Sequence, residues 1–440
     1  MAEKFDFFEE TKEHFGVLLV SLYFSSKDTE KVNTSLEELK ALAKTALADE
    51  SDFCDFYFLT QLRPAPEAAT YIGEGKVEEA KELCEKHNIK LVVFDCELSP
   101  SQIRNLEKGI SSANSELRVI DRTMLILDIF AHHAVTGEGK LQVEIAQLKY
   151  TAPRLTGKGT ELSRQGGSSA SGSVGARGPG ETKLETDRRH IKRRIAALEE
   201  QLETLEHTRA TMRKQRSKSN IPVIAIVGYT NAGKSTLLNQ LTGAGILAED
   251  KLFATLDPTV RKFSLPSGLE VLFTDTVGFI NDLPHGLVKA FKSTLDEASF
   301  ADLLLILVDA SDENAQMKLQ VTENTLSELG AGGKPTVYVF NKCDRLDEIP
   351  EKSTLGDKKA VFISAKTGAG TDELLKVIEE ELSSSLKKVK FLFPFNDQGQ
   401  VNTVYAKATV MSVEYTENGT EVVAMADAKI CGMLRKYIVE

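Results

Sequence analysis

Over the first 120 residues, apolar runs alternate with amphipathic stretches. GVLLVSLY (16–23) is continuous enough for a buried strand, and Val32 to Leu47 gathers its apolar residues on one helical face. DFYFLTQLR (55–63) alternates like a strand. From Tyr71 to Pro100 the pattern predicts a turn, a helix over 76–87, a strand over 90–95 and a second turn. Strands and helices in that order predict a small α/β domain over 1–121. From Arg122 to Tyr150 the pattern is mostly helical, weakened in its middle by Gly137 and Gly139.

Residues 156–180, TGKGTELSRQGGSSASGSVGARGPG, hold too much glycine and serine to build a core and predict a flexible loop. A helix from Thr182 to Ser217 follows. Its apolar positions Ile191, Ile195, Leu198, Leu202, Leu205 and Met212 make a heptad seam, with Arg209 as the polar intruder. At ~1.5 Å per residue this helix would be roughly 50 Å long. The simplest partner for the seam is the helical segment before it. Residues 122–219 then form a helical hairpin, with a basic, glycine-rich tip loop over about 154–181. A dimeric coiled coil is the alternative.

Beyond Ile221 the apolar runs IPVIAIVG, LEVLFTDTVG, ADLLLILVDAS, PTVYVFNKCD and AVFISAK are unbroken, as in parallel strands covered on both faces. They predict a doubly wound domain over 220–386. Residues 387–440 alternate through VYAKATVMSVEYTENGTEVVAMA with a Glu-Asn-Gly turn, which predicts a small C-terminal β-containing domain. The chain as a whole is thus expected to be a multidomain α/β protein, since 440 residues are too many for one ordinary core.

Composition excludes some classes. No apolar run approaches the length of a membrane span, and MAEKFDFFEETKEHFG lacks the basic start of a secretory signal. Cys54, Cys84, Cys96, Cys343 and Cys431 are scattered without metal-ligand spacing, so reduced thiols in a cytoplasmic protein are expected. The net charge of −11 argues against nucleic-acid binding by the whole surface. The distribution is uneven, however. Arg154 to Lys218 carries 15 Lys or Arg against 8 Asp or Glu, with the cluster RRHIKRR at Arg188–Arg194.

The chemistry lies in the doubly wound region. Gly228-Tyr229-Thr230-Asn231-Ala232-Gly233-Lys234-Ser235 fits G-x4-G-K-[ST], with a buried strand before it and a helix after it. The loop's backbone N–H groups close on phosphate oxygens at a helix N-terminus. Lys234 neutralises the β/γ-phosphates, and Ser235 offers its hydroxyl to Mg²⁺. A later strand ends in Asp275-Thr276-Val277-Gly278: the carboxylate suits the magnesium shell through water, and the Gly278 N–H suits a γ-phosphate. Lys234 and Gly278 are the expected catalytic groups. Asn341-Lys342-Cys343-Asp344 ends another strand. Asp344 can accept from N1–H and the 2-amino group of guanine, while Asn341 braces the loop and the Lys342 stem lies over the ring. Ser364-Ala365-Lys366 follows the next strand, where a backbone N–H meets guanine O6. Four such elements in order at strand ends point to a nucleotide site that reads guanine.

These elements resemble translation-factor-type GTPases, and the chain looks like a member of the HflX family over nearly its full length. TYIGEGKVEE, FDCELSPSQIRNLE, DRTMLILDIFA, GKLQVEIAQLKY, GARGPGETKLETDRR, GYTNAGKSTLLNQLTG, FATLDPT, DTVGFI and NKCD carry the resemblance. Ala176 departs from it where threonine is expected, and SSASGSVG is richer in serine than usual.

FATLDPT holds two threonines, Thr255 and Thr259, and chemistry does not choose between them as the second Mg²⁺ ligand. The resemblance implies Thr255, and carries the nucleotide contacts through Phe253, Ala254, Thr255, Leu256 and Asp257. Many related GTPases have a water-orienting glutamine after the DxxG glycine. Phe279 stands there in this chain, so unaided hydrolysis is expected to be slow. The resemblance further implies a ribosome-splitting GTPase whose loop enters the large subunit, with Arg177, Lys183, Arg188 and Arg189 against ribosomal RNA. A cytoplasmic monomer is expected. An ATP-driven RNA remodeller and a nucleotide-switched coiled-coil dimer are the rival readings.

Overall fold

The structure is a computed structural model. It describes residues 14–48, 54–111, 117–157, 179–219, 221–243, 252–253, 259–281, 287, 297–348, 358–384, 387–426 and 428–439. The chain divides into two compact units. The first comprises Met1–Thr204, Lys251–Leu256 and Asp282–Phe291; the second comprises Leu205–Asp250, Asp257–Asn281 and Lys292–Glu440.

In the first unit, β1 (Phe15–Tyr23), α1 (Thr29–Leu47), β2 (Cys54–Leu62), α2 (Glu74–Lys86), β3 (Ile89–Phe94), α3 (Pro100–Ile110) and β4 (Arg118–Asp121) follow in order. The strands form one parallel sheet in the order β2-β1-β3-β4. β1 is buried along almost its whole length, which is why its sequence is unbroken rather than alternating. The sequence pattern shows only a turn where α3 begins. Ser99 and Gln102 close a capping box there, with Pro100 in the first turn.

The helical stretch from Arg122 is two helices rather than one. α4 (Arg122–His133) ends at Ala134, and α5 (Gly137–Thr151) starts afresh with Thr136 accepting from the Gly139 N–H at 3.0 Å. The two glycines that weaken the pattern lie in the first turn of α5, outside the helix interior where they cost most. Arg122 is buried between Asp95 and Glu38, at 2.6 Å from each. Asp121 accepts from the Tyr150 hydroxyl and from Arg154 and so ties the end of α5 to the start of α4.

α6 (Pro179–Ser219) is the long helix. Ion pairs Arg194–Glu144 and Lys149–Glu199, each 2.7 Å, hold it to α5. The heptad seam is used unevenly. Leu198 is buried, Ile191, Ile195 and Leu202 are half-buried, and Leu205 is 37% exposed. The tip-loop residues 158–178 lie outside the described residues.

The second unit holds β5 (Val223–Gly228), α7 (Lys234–Thr242), β6 (Thr259–Ser264), β7 (Glu270–Asp275), β8 (Leu303–Asp309), α8 (Ala315–Glu328), β9 (Thr336–Asn341), β10 (Ala360–Phe362) and α9 (Thr371–Ser384). Their six-stranded sheet runs β10-β9-β8-β5-β7-β6, and only β6 is antiparallel to its neighbour. Ile224, Ile226, Leu303, Leu305, Val337 and Val339 fill its core. The remainder is an antiparallel sheet, β11 (Lys387–Phe393), β13 (Gly419–Ala426) and β12 (Thr409–Thr416), with α10 (Gly399–Lys407) and α11 (Ala428–Met433). Phe391, Phe393, Val404 and Val422 form a separate core there. The fold is therefore multidomain α/β, as the sequence pattern predicts. No helix among the described residues is long and apolar enough to cross a membrane.

Candidate active site

β5 delivers the chain to the phosphate loop, and α7 carries it away. Two glycines let the loop close. Gly233 has φ +96°, and a Cβ on it would stand 2.2 Å from Asn341 Nδ2. A Cβ on Gly278 would stand 2.8 Å from Thr230 Cγ2 and 3.0 Å from Lys234 Nζ. Any side chain at either position would push apart segments that must meet.

Lys234 opens α7 and is buried. Its ammonium donates to the carbonyls of Tyr229 at 2.9 Å and Gly228 at 3.3 Å. Burial pushes its pKa down to about 8, against the pull of Asp275. The neighbouring Ser235 hydroxyl donates to Asp275 Oδ2 at 2.8 Å, and Asp275 is fully buried at the end of β7.

Beyond β7 the chain stays zipped to the phosphate loop. The Thr276 hydroxyl donates to Ile226 O at 2.9 Å. The Phe279 N–H donates to Gly228 O at 3.1 Å, and the Thr230 N–H donates to Phe279 O at 2.8 Å. The Asn281 N–H donates to the Tyr229 hydroxyl at 2.7 Å. The Phe279 ring is buried, which accounts for an apolar side chain at that position.

Further along the same sheet edge, β9 ends in Asn341. Its Nδ2 donates to Ala232 O at 2.8 Å, and its Oδ1 accepts from the Ala365 N–H at 2.9 Å. One buried amide thus joins the phosphate loop to the loop after β10. Lys342 adopts φ +65° and pairs with Asp309 at 2.7 Å. Burial raises the Asp309 pKa, but hydrogen bonds from Lys342 and Ser311 outweigh it and hold the carboxyl below its usual range. The Cys343 N–H donates to Ile363 O at 3.1 Å. Asp344 Oδ1 accepts from the Ser364 hydroxyl at 2.6 Å, and that bond holds the Asp344 carboxyl below its usual range. Ser364 in turn accepts from the Thr367 N–H at 3.2 Å, while Lys366 is exposed.

Gly228–Ser235, Asp275–Gly278, Asn341–Asp344 and Ser364–Lys366 therefore follow the carboxyl ends of β5, β7, β9 and β10, along one edge of a sheet in which these strands are parallel. Phe253 is placed differently. It belongs to the first unit, where its ring meets Phe130 of α4 edge-on at 4.8 Å, and the Leu252 N–H donates to Thr45 Oγ1 at 3.4 Å. Ala254, Thr255, Leu256, Asp257 and Arg177 lie outside the described residues. Lys183 falls within α6, and Arg188 and Arg189 are exposed on it. No motif in the sequence singles out Asp309. Its only signal is its place at the carboxyl end of an apolar strand, in LLLILVDAS.

A phosphate loop leading into a helix, a buried lysine, a serine on a strand-end carboxylate and a braced base loop define a P-loop GTPase. The family described as "50S ribosome-binding GTPase" matches residues 223–342. "GTP-binding GTPase N-terminal" matches 33–131, and "GTP-binding GTPase Middle Region" matches 133–216. The GTPase HflX of Caldanaerobacter subterraneus subsp. tengcongensis is 49% identical across 96% of this chain and 93% of its own length. The GTPase HflX of Escherichia coli is 41% identical across 91% and 90%. A GTP-binding protein of Sulfolobus solfataricus, solved in complex with GDP, is 25% identical over 83% of this chain and 99% of its own, with a TM-score of 0.41. The chain belongs to the HflX family of GTPases, and it is a GTP hydrolase.

Proposed function

We propose that this GTPase binds the large ribosomal subunit and, with GTP bound, separates stalled or idle ribosomes. The observation that carries the partner is one of charge. Arg188, Arg189, Lys192 and Arg193 are exposed on α6 in a chain of net charge −11. Such a cluster suits RNA phosphates, and the glycine-rich, basic segment before it suits a crowded RNA cavity. The match to a family described as 50S ribosome-binding supports the same partner. In this reading Arg177 and Lys183 contact ribosomal RNA together with Arg188 and Arg189.

The nucleotide contacts follow the motifs. Gly228–Ser235 hold the phosphates, Asp344 reads guanine, and Asn341, Lys342, Cys343 and Ser364–Lys366 frame the base. The residues fit Mg²⁺, because Ser235 Oγ beside the buried Asp275 makes an all-oxygen set of the kind hard cations take. Ser235 and Thr255 would ligate the ion, with Asp275 on its water shell. When bound, the ion neutralises charge on the β- and γ-phosphates. Ala254, Leu256 and Asp257 belong to the same nucleotide-sensing segment. Phe279 cannot orient a water, so the ribosome is assigned the task of raising a slow unaided turnover.

The proposed domains are 1–121, 122–219, 220–386 and 387–440, in a monomeric, cytoplasmic protein. Sedimentation of 70S ribosomes with the protein and GTP, GDP or a non-hydrolysable GTP analogue tests the proposal. Free subunits should accumulate with GTP and the analogue and not with GDP. Intact 70S particles under all three conditions would overturn it.

A further inference from the structure

The site poses a chemical question that its motifs leave open. Hydrolysis needs a water held in line with the γ-phosphate, and the side chain after Gly278 is a buried phenyl ring. Another group must face that water.

Thr230 is the third residue of the phosphate loop, and it is 6% exposed. Its Oγ1 is buried with no hydrogen-bond partner among the described residues. Buried hydroxyls in folded proteins are nearly always bonded, so an exception inside a catalytic loop points to a ligand that completes it. The position supports this. A Cβ built on Gly278 would meet Thr230 Cγ2 at 2.8 Å and Lys234 Nζ at 3.0 Å. The Thr230 side chain, the backbone of Gly278 and the Lys234 ammonium therefore surround one small volume, with the threonine methyl on the Gly278 side. In a P-loop GTPase that volume lies beside the γ-phosphate, between the lysine that neutralises it and the glycine that senses it.

The rest of the loop holds Thr230 in place. Its N–H is bonded to Phe279 O at 2.8 Å, and the Phe279 N–H is bonded to Gly228 O at 3.1 Å. Phe279 thus locks the backbone that carries the Thr230 side chain, and its own ring is buried. χ1 rotation is the freedom left to the Thr230 side chain: a step of about 120° brings Oγ1 to the place the methyl holds beside Gly278, with the methyl moving on to the place of the Cβ hydrogen.

We propose that the Thr230 hydroxyl is a catalytic group of GTP hydrolysis, orienting the attacking water in place of a side chain at position 279. The hydroxyl accepts a hydrogen bond from the water and donates one to a γ-phosphate oxygen. The water oxygen forms the new bond to the γ-phosphorus. The bond from that phosphorus to the β–γ bridging oxygen breaks, and its electron pair leaves with GDP. The water proton passes to the phosphate oxygens and departs with inorganic phosphate or to solvent. Thr230 ends as it began, a neutral hydroxyl. The inference rests on the GTPase activity and concerns the slow unaided turnover, which the ribosome would then raise further.

The test uses the full-length protein, without ribosomes, in single-turnover GTP hydrolysis alongside equilibrium GDP binding. Thr230→Val keeps the shape and removes the hydroxyl, and Thr230→Ser keeps the hydroxyl and removes the methyl. Thr230→Val should lower the hydrolysis rate constant at least tenfold, with GDP affinity within threefold of the parent, since GDP lacks the γ-phosphate that the hydroxyl meets. Thr230→Ser should restore the rate to within threefold. The proposal is overturned if Thr230→Val hydrolyses at the parent rate, if its loss lies in affinity instead of rate, or if Thr230→Ser is as slow as Thr230→Val. Retained GDP binding certifies that both variants are folded.

Discussion

The Lys342 ammonium lies 2.7 Å from the Asp309 carboxylate, and both side chains are largely buried. Asp309 is the last residue of β8 and is paired in register with Asn341 of β9. A carboxylate on the neighbouring strand thus fixes a lysine whose backbone is already held at positive φ. Asp309→Asn would leave that ammonium unpaired. We expect GDP affinity to fall about tenfold, roughly 1.4 kcal/mol, with hydrolysis of bound GTP little changed. Equilibrium binding of a fluorescent GDP analogue, set against single-turnover hydrolysis, separates the two effects. Unchanged affinity would show that Lys342 needs no such anchor.

In the proposed site, Asp344 is assigned the choice of base. Asp344→Asn inverts its hydrogen-bonding pattern, so GTP affinity should drop at least a hundredfold while xanthosine triphosphate gains. Competition between the two nucleotides measures the switch. Retained GTP preference in the variant would remove Asp344 from the role.

Lys234 has a pKa pushed down to about 8 by burial, so a fraction of the protein without nucleotide is neutral there at mildly alkaline pH. Phosphate oxygens favour the charged ammonium and raise its pKa on binding. Near pH 8, nucleotide binding should therefore take up a fraction of a proton, and affinity should fall as pH rises above 8. Calorimetric titration in buffers of different ionisation enthalpy reads the uptake directly. Proton release, or a flat profile between pH 7 and 9, would contradict the assignment.

The buried Phe279 predicts slow turnover by the protein alone and a rise well above tenfold on adding large subunits. Steady-state phosphate release with and without subunits measures it. Equal rates would mean that the site is already complete.

The basic segment before α6 can be tested by its reach. Deleting residues 166–180 should abolish ribosome splitting and leave GTP binding intact. Arg177→Ala with Lys183→Ala should weaken subunit binding, most at low salt, where phosphate contacts count for more. Splitting at the normal rate by the deleted protein would reduce the segment to a connector, because loop-closure entropy alone changes slowly with length.

Much of this site was legible before the structure, because phosphate and guanine chemistry demand particular residue types at strand ends. Lys234, Ser235, Asp275 and Asp344 have few chemical substitutes. Asp309 was not legible, because its value comes from a cross-strand neighbour that no local motif encodes. The break between α4 and α5 was legible only as weakness at Gly137 and Gly139, since the cap that makes it belongs to Thr136. The heptad seam named the face of α6 and not how far it is buried, because Leu205 obeys the period and is still exposed. Phe253 could be read only as the start of FATLDPT, and its partner Phe130 lies 123 residues earlier in the chain.

Asn341 touches the phosphate loop through Ala232 and the base loop through Ala365 with a single planar amide. A rigid crosspiece of this kind makes the two halves of nucleotide recognition thermodynamically reciprocal. The free energy by which an occupied guanine end tightens the phosphate end equals that by which an occupied phosphate end tightens the guanine end, and a ligand carrying only one half still preorganises the other. Discrimination against a wrong base then acts beyond the base pocket, because a nucleotide that fits poorly there also finds a looser grip on its phosphates.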